Sequence, residues 1–185
     1  MVRETPPRTV RDLRTQVRRI VERARLLQGV GADALVGRPA PTRWSAAECL
    51  AHLNLSIEPY FPAWHEAVSG LDGRSVPPAH RYRLDFWGRV LTWTLEPPPR
   101  FRFPAPAAFH PVELGEVATV LPAFLDHQQR LLELIDRAAG KPVDAVRIAS
   151  PFDPRGRVRY SVWSSFCVTL AHERRHLWQA EQAVR

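Results

Sequence analysis

The sequence predicts an all-α protein, a single domain spanning 1–185 and built as a four-helix bundle. Three observations predict this fold. Apolar residues recur at three- and four-residue spacing in four long stretches. Clusters of glycine and proline separate these stretches, and no sustained alternation of apolar and polar residues indicates a sheet. With 45% apolar and 24% charged residues, the chain has the composition of an ordinary globular domain and is long enough to bury a core.

The first helix should begin at Thr9, a suitable N-cap residue, with Asp12 three positions later. Gly29 and Gly31 should end it. Its apolar residues follow helical spacing and form one stripe, which consists of Val10, Leu13, Val17, Ile20, Ala24 and Leu27.

The second helix should begin at Ser45, because Ser45 and Glu48 match the capping-box pattern. Apolar positions continue to about Val68. Pro59 and Pro62 should bend or interrupt this helix, since each removes a backbone donor and crowds the preceding turn.

A long, proline-rich crossover of residues 71–115 connects the second predicted helix to the third. Within it, Asp85 to Leu95 should form a short helix with an aromatic face. A connection of this length can form the wall or the lid of a site. Its aromatic side chains are expected to cover another part of the molecule; they are Phe86, Trp87, Trp93, Phe101, Phe103 and Phe109.

The third helix should run from about Leu114 to Ala139, where Gly140 and Pro142 end it. Residues 141–160 should form a loop with a short extended piece at 146–149. The fourth helix should begin near Ser161 and continue almost to the last residue.

The composition restricts the classes of function. The formal charge is +7, and Lys141 is the only lysine among 26 basic residues. A basic chain can bind nucleic acid, but the arginines are scattered and are not interleaved with exposed aromatics. We therefore interpret the charge as a solvated basic surface, with nucleic-acid binding as the least favoured function.

Membrane insertion and secretion are not indicated. No uninterrupted apolar run reaches about 18 residues, and the first residues lack the apolar segment of a secretory signal. Two cysteines, Cys49 and Cys167, do not make a disulfide framework. We expect a cytoplasmic protein.

The fourth predicted helix contains His172 and His176, which are four residues apart and therefore lie on one helix face. With Glu173 they form the string H-E-x-x-H, the short signature of zinc proteases. A protease of this kind needs a third ligand further along the chain. The metzincin position holds Gln182, and we expect no further helix in the nine residues after His176. The protease interpretation is therefore not favoured.

An upstream motif offers a different partner for this pair. Trp44, Ser45, Glu48, His52 and Leu53 form W-S-x-x-E-x-x-x-H-L at the start of the second predicted helix. Together with the late histidine pair, this block resembles the DinB-like (YfiT-related) superfamily. The resemblance covers essentially the whole chain.

The resemblance implies a bundle in up-down-down-up order with a metal site made by His52, His172 and His176. Three protein ligands leave coordination positions open for water or substrate. Imidazole ligands suit a divalent ion such as zinc or nickel. Relatives with known activity use low-molecular-weight thiols, namely bacillithiol, mycothiol or glutathione, as cosubstrates, with the metal lowering the pKa of the thiol.

The favoured hypothesis is therefore a metal-dependent transferase that activates such a thiol for attack on an electrophile, a small-molecule substrate. Two alternatives stay open: a non-enzymatic, stress-related module that binds a metal or ligand, and a metal-dependent hydrolase. A homodimer is one of the open oligomeric states.

Several neighbouring residues have two interpretations. Glu173, the one candidate catalytic residue, points about 100° around the helix from His172, so it is either a residue behind the ligands or part of a surface salt bridge. Glu48 could accept the second N–H of His52, but we favour its capping role. Cys49 could be a fourth ligand, but we favour a buried free cysteine.

Tryptophan and arginine residues near the motifs are also ambiguous. Trp44, Trp87, Trp93 and Trp178 could line a pocket, but most are expected in the core. Arg174 and Arg175 could contact an anionic cofactor, but we favour a solvated helix face for them.

Overall fold

The computed structural model describes residues 4–98, 106–111, 114 and 116–185. The secondary structure in these residues is predominantly helical, as the sequence predicts, with one two-stranded sheet. In chain order, the α-helices and strands are α1 (Val10–Arg25), α2 (Ala32–Val36), α3 (Ala46–Ile57), α4 (Tyr60–Ser69), α5 (Phe86–Leu95), α6 (Val117–Arg137), β1 (Arg147–Ala149), β2 (Arg159–Ser161) and α7 (Val162–Ala183).

Side-chain caps fix the starts of three long helices where the sequence predicts them. Thr9 and Asp12 form a capping box on α1, and Ser45 and Glu48 form one on α3. Ser161 caps α7 by accepting a hydrogen bond from the backbone N–H of Ser164. Each cap satisfies backbone donors that the first helical turn leaves without a partner.

Four helices contact one another in a closed ring: α3 packs against α6 and α7, and α1 packs against the same two helices. Their facing stripes form the core, and the predicted stripe of α1 is buried at Leu13, Val17, Ile20, Ala24 and Leu27. The largest buried aromatic side chains are those of Trp64, Trp163, Tyr60, Tyr160, Phe124 and Phe166.

The second predicted helix is divided into α3 and α4, because the chain turns at Glu58 and Pro59. Pro62 lies in the first turn of α4, where a missing backbone donor has no cost. The prediction that these prolines interrupt the helix is confirmed.

The predicted loop before α7 contains an antiparallel hairpin. β1 coincides with the extended piece expected at 146–149, whereas its partner β2 was not predicted. Ile148 pairs with Tyr160, and both side chains are buried. The hairpin brings Tyr160 into the core beside Tyr60, and the two hydroxyl groups share a hydrogen bond.

The crossover contains the predicted short helix, α5, which begins after its cap residue Asp85 and packs against α7. Its aromatic face points outward: Phe86 is 61% exposed and Trp93 is 50% exposed. The expectation that the aromatic side chains of the crossover cover another part of the molecule is therefore wrong for Phe86. Phe109, in contrast, is buried as expected. Phe101 and Phe103, for which the same was expected, lie outside the described residues.

Within these described residues, no helix combines the length and the apolar character needed to cross a bilayer.

Candidate metal centre

The structure brings together the three histidines that the sequence singles out. His52 extends from α3, and His172 and His176 extend from α7, which packs against α3. Their potential ligand atoms all lie within 4.8 Å of one another. His52 Nε2 and His172 Nε2 lie 3.2 Å apart. One divalent ion could contact all three rings.

A main-chain contact orients the ring of His52. Its Nδ1–H donates a 2.7 Å hydrogen bond to the carbonyl oxygen of Phe109. A neutral imidazole has a single N–H, so this bond leaves the Nε2 lone pair facing His172. A hydrogen bond from the second ring nitrogen to a carbonyl is the usual way in which proteins orient a metal-binding histidine.

An aromatic side chain closes the site on one side. The ring of Trp44 lies 4.8 Å from the ring of His52 and 5.7 Å from the ring of His176, measured between centroids. Trp44 immediately precedes Ser45, the N-cap of α3, and the capping box therefore also positions this indole.

The environment of the three imidazoles favours their neutral form. Burial lowers the pKa of His52 below its ordinary value, and the hydrogen bond to Phe109 offsets only part of this effect. Burial lowers the pKa values of His172 and His176 further, and the other rings and the charge of Arg175 reinforce the shift. Neutral imidazole is the form that binds a metal ion.

The donor set suits a divalent ion. Two nitrogens bound tetrahedrally at about 2.05 Å to one ion are separated by about 3.3 Å, close to the distance between His52 Nε2 and His172 Nε2. Nδ1 of His176 is buried and makes no hydrogen bond within the described part of the chain. A buried imidazole nitrogen without a partner is costly, and an ion can satisfy it.

Two residues near His52 were considered for a role at the metal site, Glu48 as a hydrogen-bond acceptor for His52 and Cys49 as a fourth ligand, and both have other roles. Glu48 accepts hydrogen bonds from the backbone N–H of Ser45 at 2.8 Å and from the guanidinium of Arg38. The capping role of Glu48 is confirmed, and its proposed bond to His52 is wrong because Phe109 accepts that proton. Cys49 is a buried free cysteine, as favoured, and burial raises the pKa of its thiol to about 12.

Glu173 lies in the interior, so the surface salt bridge considered for it is wrong. Its Oε1 accepts a 2.8 Å hydrogen bond from Gln128 of α6, and its Oε2 has no partner in the described residues. Burial raises the pKa of Glu173 to about 7. The carboxyl group therefore lies at the junction of α6 and α7.

The favoured interpretation of Arg174 and Arg175 as a solvated face is wrong, since both are buried. Arg174 forms an ion pair with Glu96 and donates a 3.0 Å hydrogen bond to Gln16 Oε1. Arg175 donates a 3.3 Å hydrogen bond to the carbonyl oxygen of Thr94. The partners of Arg174 lie far away in sequence, and no local pattern indicates them.

The three histidines line one cavity of about 710 Å³. Trp44 and Trp178 are among its lining residues, whereas Trp87 and Trp93 are exposed on α5. The expectation of a position in the core is therefore wrong for Trp87 and Trp93. The lining also includes residues that the sequence analysis did not select; they are Tyr60, Leu91, Leu95, Phe152, Tyr160 and Thr169. Of these residues, only Leu91 and Leu95 could have been grouped from the sequence, because their spacing of four residues places them on one face of a helix.

The comparison with known families agrees with the architecture and the histidine cluster. A sequence model of the DinB superfamily matches residues 12–180, which include the helices α3 and α6, most of α7 and all three histidines. No curated protein and no solved structure matches the chain. The match extends over far more than half of the sequence, and the chain belongs to the DinB superfamily.

Proposed function

We propose that this protein is a metal-dependent transferase. In this proposal His52, His172 and His176 hold one divalent ion, zinc or nickel, and a low-molecular-weight thiol is activated there for attack on a small electrophile. The observation that carries the proposal is the convergence of three imidazoles, all of which line one cavity of about 710 Å³. Three protein ligands leave room for a further ligand from the cavity.

The residues of the chain orient the ligands and supply apolar surface around them. The carbonyl of Phe109 holds the His52 ring with Nε2 toward the other ligands, and Trp44 packs against two of the rings. Leu53, Ile57, Leu91, Leu95 and Val168 supply apolar surface to the same cavity. A bound divalent ion would lower the pKa of a thiol and so favour the nucleophilic thiolate.

The proposal includes the arrangement of the fold. We treat α3 and α4 together as one member of a four-helix bundle. The other three members are α1, α6 and α7, and the order is up-down-down-up. The closed ring of contacts among α1, α3, α6 and α7 supports this arrangement. The long crossover then carries α5 and Phe109 to the end of the bundle that contains the histidines.

Metal analysis of the purified full-length protein is the first test. We expect about one equivalent of zinc or nickel per chain, and its loss in His52→Ala and His176→Ala. His65→Ala is the matched control, because His65 is an exposed histidine on α4 and lies outside the cluster. A wild-type protein that binds no divalent ion would exclude the proposed centre.

Thiol-transfer assays are the second test. Bacillithiol, mycothiol and glutathione are each offered with a chromogenic aromatic electrophile, and product is measured with and without the metal. We expect conjugation with at least one thiol only in the metal-loaded protein. Conjugation at the same rate in His176→Ala would exclude a role for the centre.

A metal-dependent hydrolase is the second candidate, because Glu173 lines the same cavity and keeps one carboxylate oxygen without a partner in the described residues. Glu173→Gln distinguishes the two candidates. A hydrolase that uses this carboxylate as a general base should lose about 10²–10⁴ in rate, whereas thiol transfer should persist.

A further inference from the structure

An apolar patch lies on the outward face of α5. Phe86 is 61% exposed, and Trp87 and Val90 are each 38% exposed. Phe86 and Val90 are four residues apart and share one face of the helix, and the centroids of the Phe86 and Trp87 rings are 5.3 Å apart. We call these three residues the α5 patch. Adjoining exposed apolar side chains, unlike scattered ones, mark a surface that contacts another molecule.

The α5 patch is held in a fixed position. The cap residue Asp85 accepts hydrogen bonds from the backbone N–H of Gly88 in α5 and from the backbone N–H of Ser161 at the end of β2. The backbone N–H of Asp85 itself donates a 3.0 Å hydrogen bond to Ser164 Oγ of α7. Phe86 therefore follows a residue that is bonded to both β2 and α7, so the exposed side chains belong to a packed helix.

Arginines flank the α5 patch. Arg83 precedes α5 and Arg89 lies next to Val90, and both are exposed. The bond between Asp85 and Ser161 joins the start of α5 to the hairpin of β1 and β2, and α5 also packs against β2. This hairpin carries further exposed arginines; they are Arg147, Arg155, Arg157 and Arg159.

The carboxylates of the same two segments are bonded to protein groups. Residues 80–96 and 147–161 contain three of them, Asp85, Glu96 and Asp153. Asp85 accepts the two bonds described above, Glu96 is buried in its ion pair with Arg174, and Asp153 accepts hydrogen bonds from backbone N–H groups of its own loop. The exposed charge beside the α5 patch is therefore positive and complements an anionic partner.

Two anionic or apolar partners are less suitable than lipid. A second copy of the chain that docked through the same face would bring arginines against arginines, which is unfavourable. Single-stranded nucleic acid binds where bases stack on aromatic rings in a positively charged groove, whereas the α5 patch is the outward surface of a helix and Val90 has no ring. A lipid surface accepts aromatic and aliphatic side chains at its boundary while arginines contact its phosphates.

We propose that the α5 patch and the arginines beside it bind the surface of a bilayer that contains anionic lipid. The apolar side chains enter the boundary between headgroups and acyl chains, and the guanidinium groups remain among the phosphates. This contact is confined to the lipid surface and requires no helix that crosses the bilayer. Leu91 and Leu95 of the same helix line the histidine cavity, so the bound protein holds that cavity close to the lipid.

The test is cosedimentation of the full-length protein with vesicles of phosphatidylcholine alone and with vesicles that also contain phosphatidylglycerol. We expect binding to the mixed vesicles that weakens as salt is added, and little binding to phosphatidylcholine alone. Phe86→Ser and Trp87→Ser should each weaken binding about tenfold, as for one aromatic side chain that leaves water. Arg89→Gln should weaken it about fivefold.

Two matched controls change exposed residues elsewhere. Leu26→Ser alters an apolar side chain that is 75% exposed after α1, and Arg25→Gln removes an exposed arginine of α1. Both should bind the mixed vesicles as the wild type does, and all variants should keep the Tm of the wild type because the altered side chains are exposed. No binding of the wild type to the mixed vesicles would overturn the proposal, as would unchanged binding of Phe86→Ser and Trp87→Ser or an equal loss in Leu26→Ser.

Other occupants of the α5 patch give different results. Tighter binding of a single-stranded oligonucleotide than of the vesicles, lost in Trp87→Ser, would assign the surface to nucleic acid and overturn the proposal. A dimer in sedimentation equilibrium that Phe86→Ser dissociates would assign it to a second copy, with the same consequence. Vesicle binding should be equal for the metal-free and the metal-loaded protein, so it is tested independently of the proposed metal centre.

Discussion

The imidazole of His52 donates its Nδ1–H to the main-chain carbonyl oxygen of Phe109 over 2.7 Å. His52 belongs to α3, whereas Phe109 lies in the long crossover, so this bond joins the crossover to the histidine cluster. It also selects one tautomer, in which Nε2 carries the lone pair that faces His172 Nε2 at 3.2 Å. The ligand face of His52 is thus oriented by a backbone group.

This relationship predicts the protonation state of one ring. We expect long-range nitrogen–proton correlation spectra to show the Nδ1–H tautomer of His52 in the metal-free protein and in the loaded protein. The resonances are assigned by their loss in His52→Gln. An Nε2–H tautomer in the metal-free protein would contradict the orientation, because Nε2 could then bind no ion without losing a proton.

Removal of the metal should lower the stability of the protein. A ligand that binds only the folded state contributes about 4 kcal/mol when its free concentration is a thousand times its Kd. For a chain of this length, we expect chelation to lower the Tm by about 10 °C. Calorimetry with and without a chelator measures the difference. Chelation should not change the Tm of His172→Ala. If chelation lowers the Tm of this variant as much as that of the wild type, the effect comes from metal bound elsewhere.

The helices and the histidine cluster could be predicted because each depends on a short sequence pattern. The caps at Thr9 and Ser45 involve residues three positions apart, and His172 and His176 share a face by spacing alone. The contribution of His52 is implied only by the resemblance of the W-S-x-x-E-x-x-x-H motif and the late histidine pair to the DinB-like superfamily. Local spacing alone would not have joined α3 to α7.

The environments of the arginines and tryptophans could not be predicted, because tertiary packing determines them. Arg174 meets Glu96 across 78 residues, and both ends of that pair look like surface residues in sequence. Trp163 is fully buried while Trp93 is half exposed, although both belong to apolar helical stretches. Strand β2 depends on pairing with β1, and its three residues are too few to show a period.

The buried ion pair of Arg174 and Glu96 should be sensitive to the loss of one partner. Both side chains are almost fully buried, and a single charge left behind has no solvent to compensate it. We expect Arg174→Met to reduce the free energy of unfolding by about 3–5 kcal/mol, measured by urea denaturation. The double variant with Glu96→Leu should recover most of this loss.

An exposed ion pair provides the control for that measurement. Arg19 bonds to Glu4, and the side chain of Arg19 is mostly exposed, so Arg19→Gln should cost less than about 1 kcal/mol. Equal costs for the two single variants would show that burial does not set the energy of the pair of Arg174 and Glu96.

The capping box of α3 should make stability depend on pH. Burial alone would raise the pKa of Glu48, but its hydrogen bonds with Arg38 and Ser45 lower that pKa below the ordinary value of 4.5. The unfolded chain therefore binds this proton more readily than the folded protein does. The contribution of Glu48 is complete above the unfolded pKa and is lost as the pH falls through the lower, folded pKa.

Glu48→Gln tests this dependence. We expect the substitution to cost about 1–2 kcal/mol near neutral pH and less once the pH is below the folded pKa, measured by urea denaturation at both pH values. Arg38→Gln should cost less, because the side chain of Arg38 is half exposed. A cost of Glu48→Gln that does not change with pH would assign its effect to packing.

The close approach of α5 to α7 should depend on Gly88. A Cβ atom at this position would overlap with the side chain of Ser164, whose Oγ accepts a hydrogen bond from the backbone N–H of Asp85. Since α5 carries Leu91 and Leu95 into the cavity wall, this contact sets the position of one wall relative to the histidines on α7.

Two effects of Gly88→Ala oppose each other. The new methyl group disturbs the packing of α5 against α7, whereas the higher helix propensity of alanine stabilises the helix by about 1 kcal/mol relative to glycine. We expect the packing cost to prevail, so that Gly88→Ala lowers the free energy of unfolding by about 1–3 kcal/mol, measured by urea denaturation. Gly29→Ala is the control, because a Cβ at Gly29 meets no atom within 4 Å; it should be neutral or slightly stabilising. In a Ser164→Gly background the cost of Gly88→Ala should largely vanish, since the atoms that obstruct the new methyl group are then absent. A cost that persists unchanged in that background would show that Ser164 does not determine the spacing of the two helices.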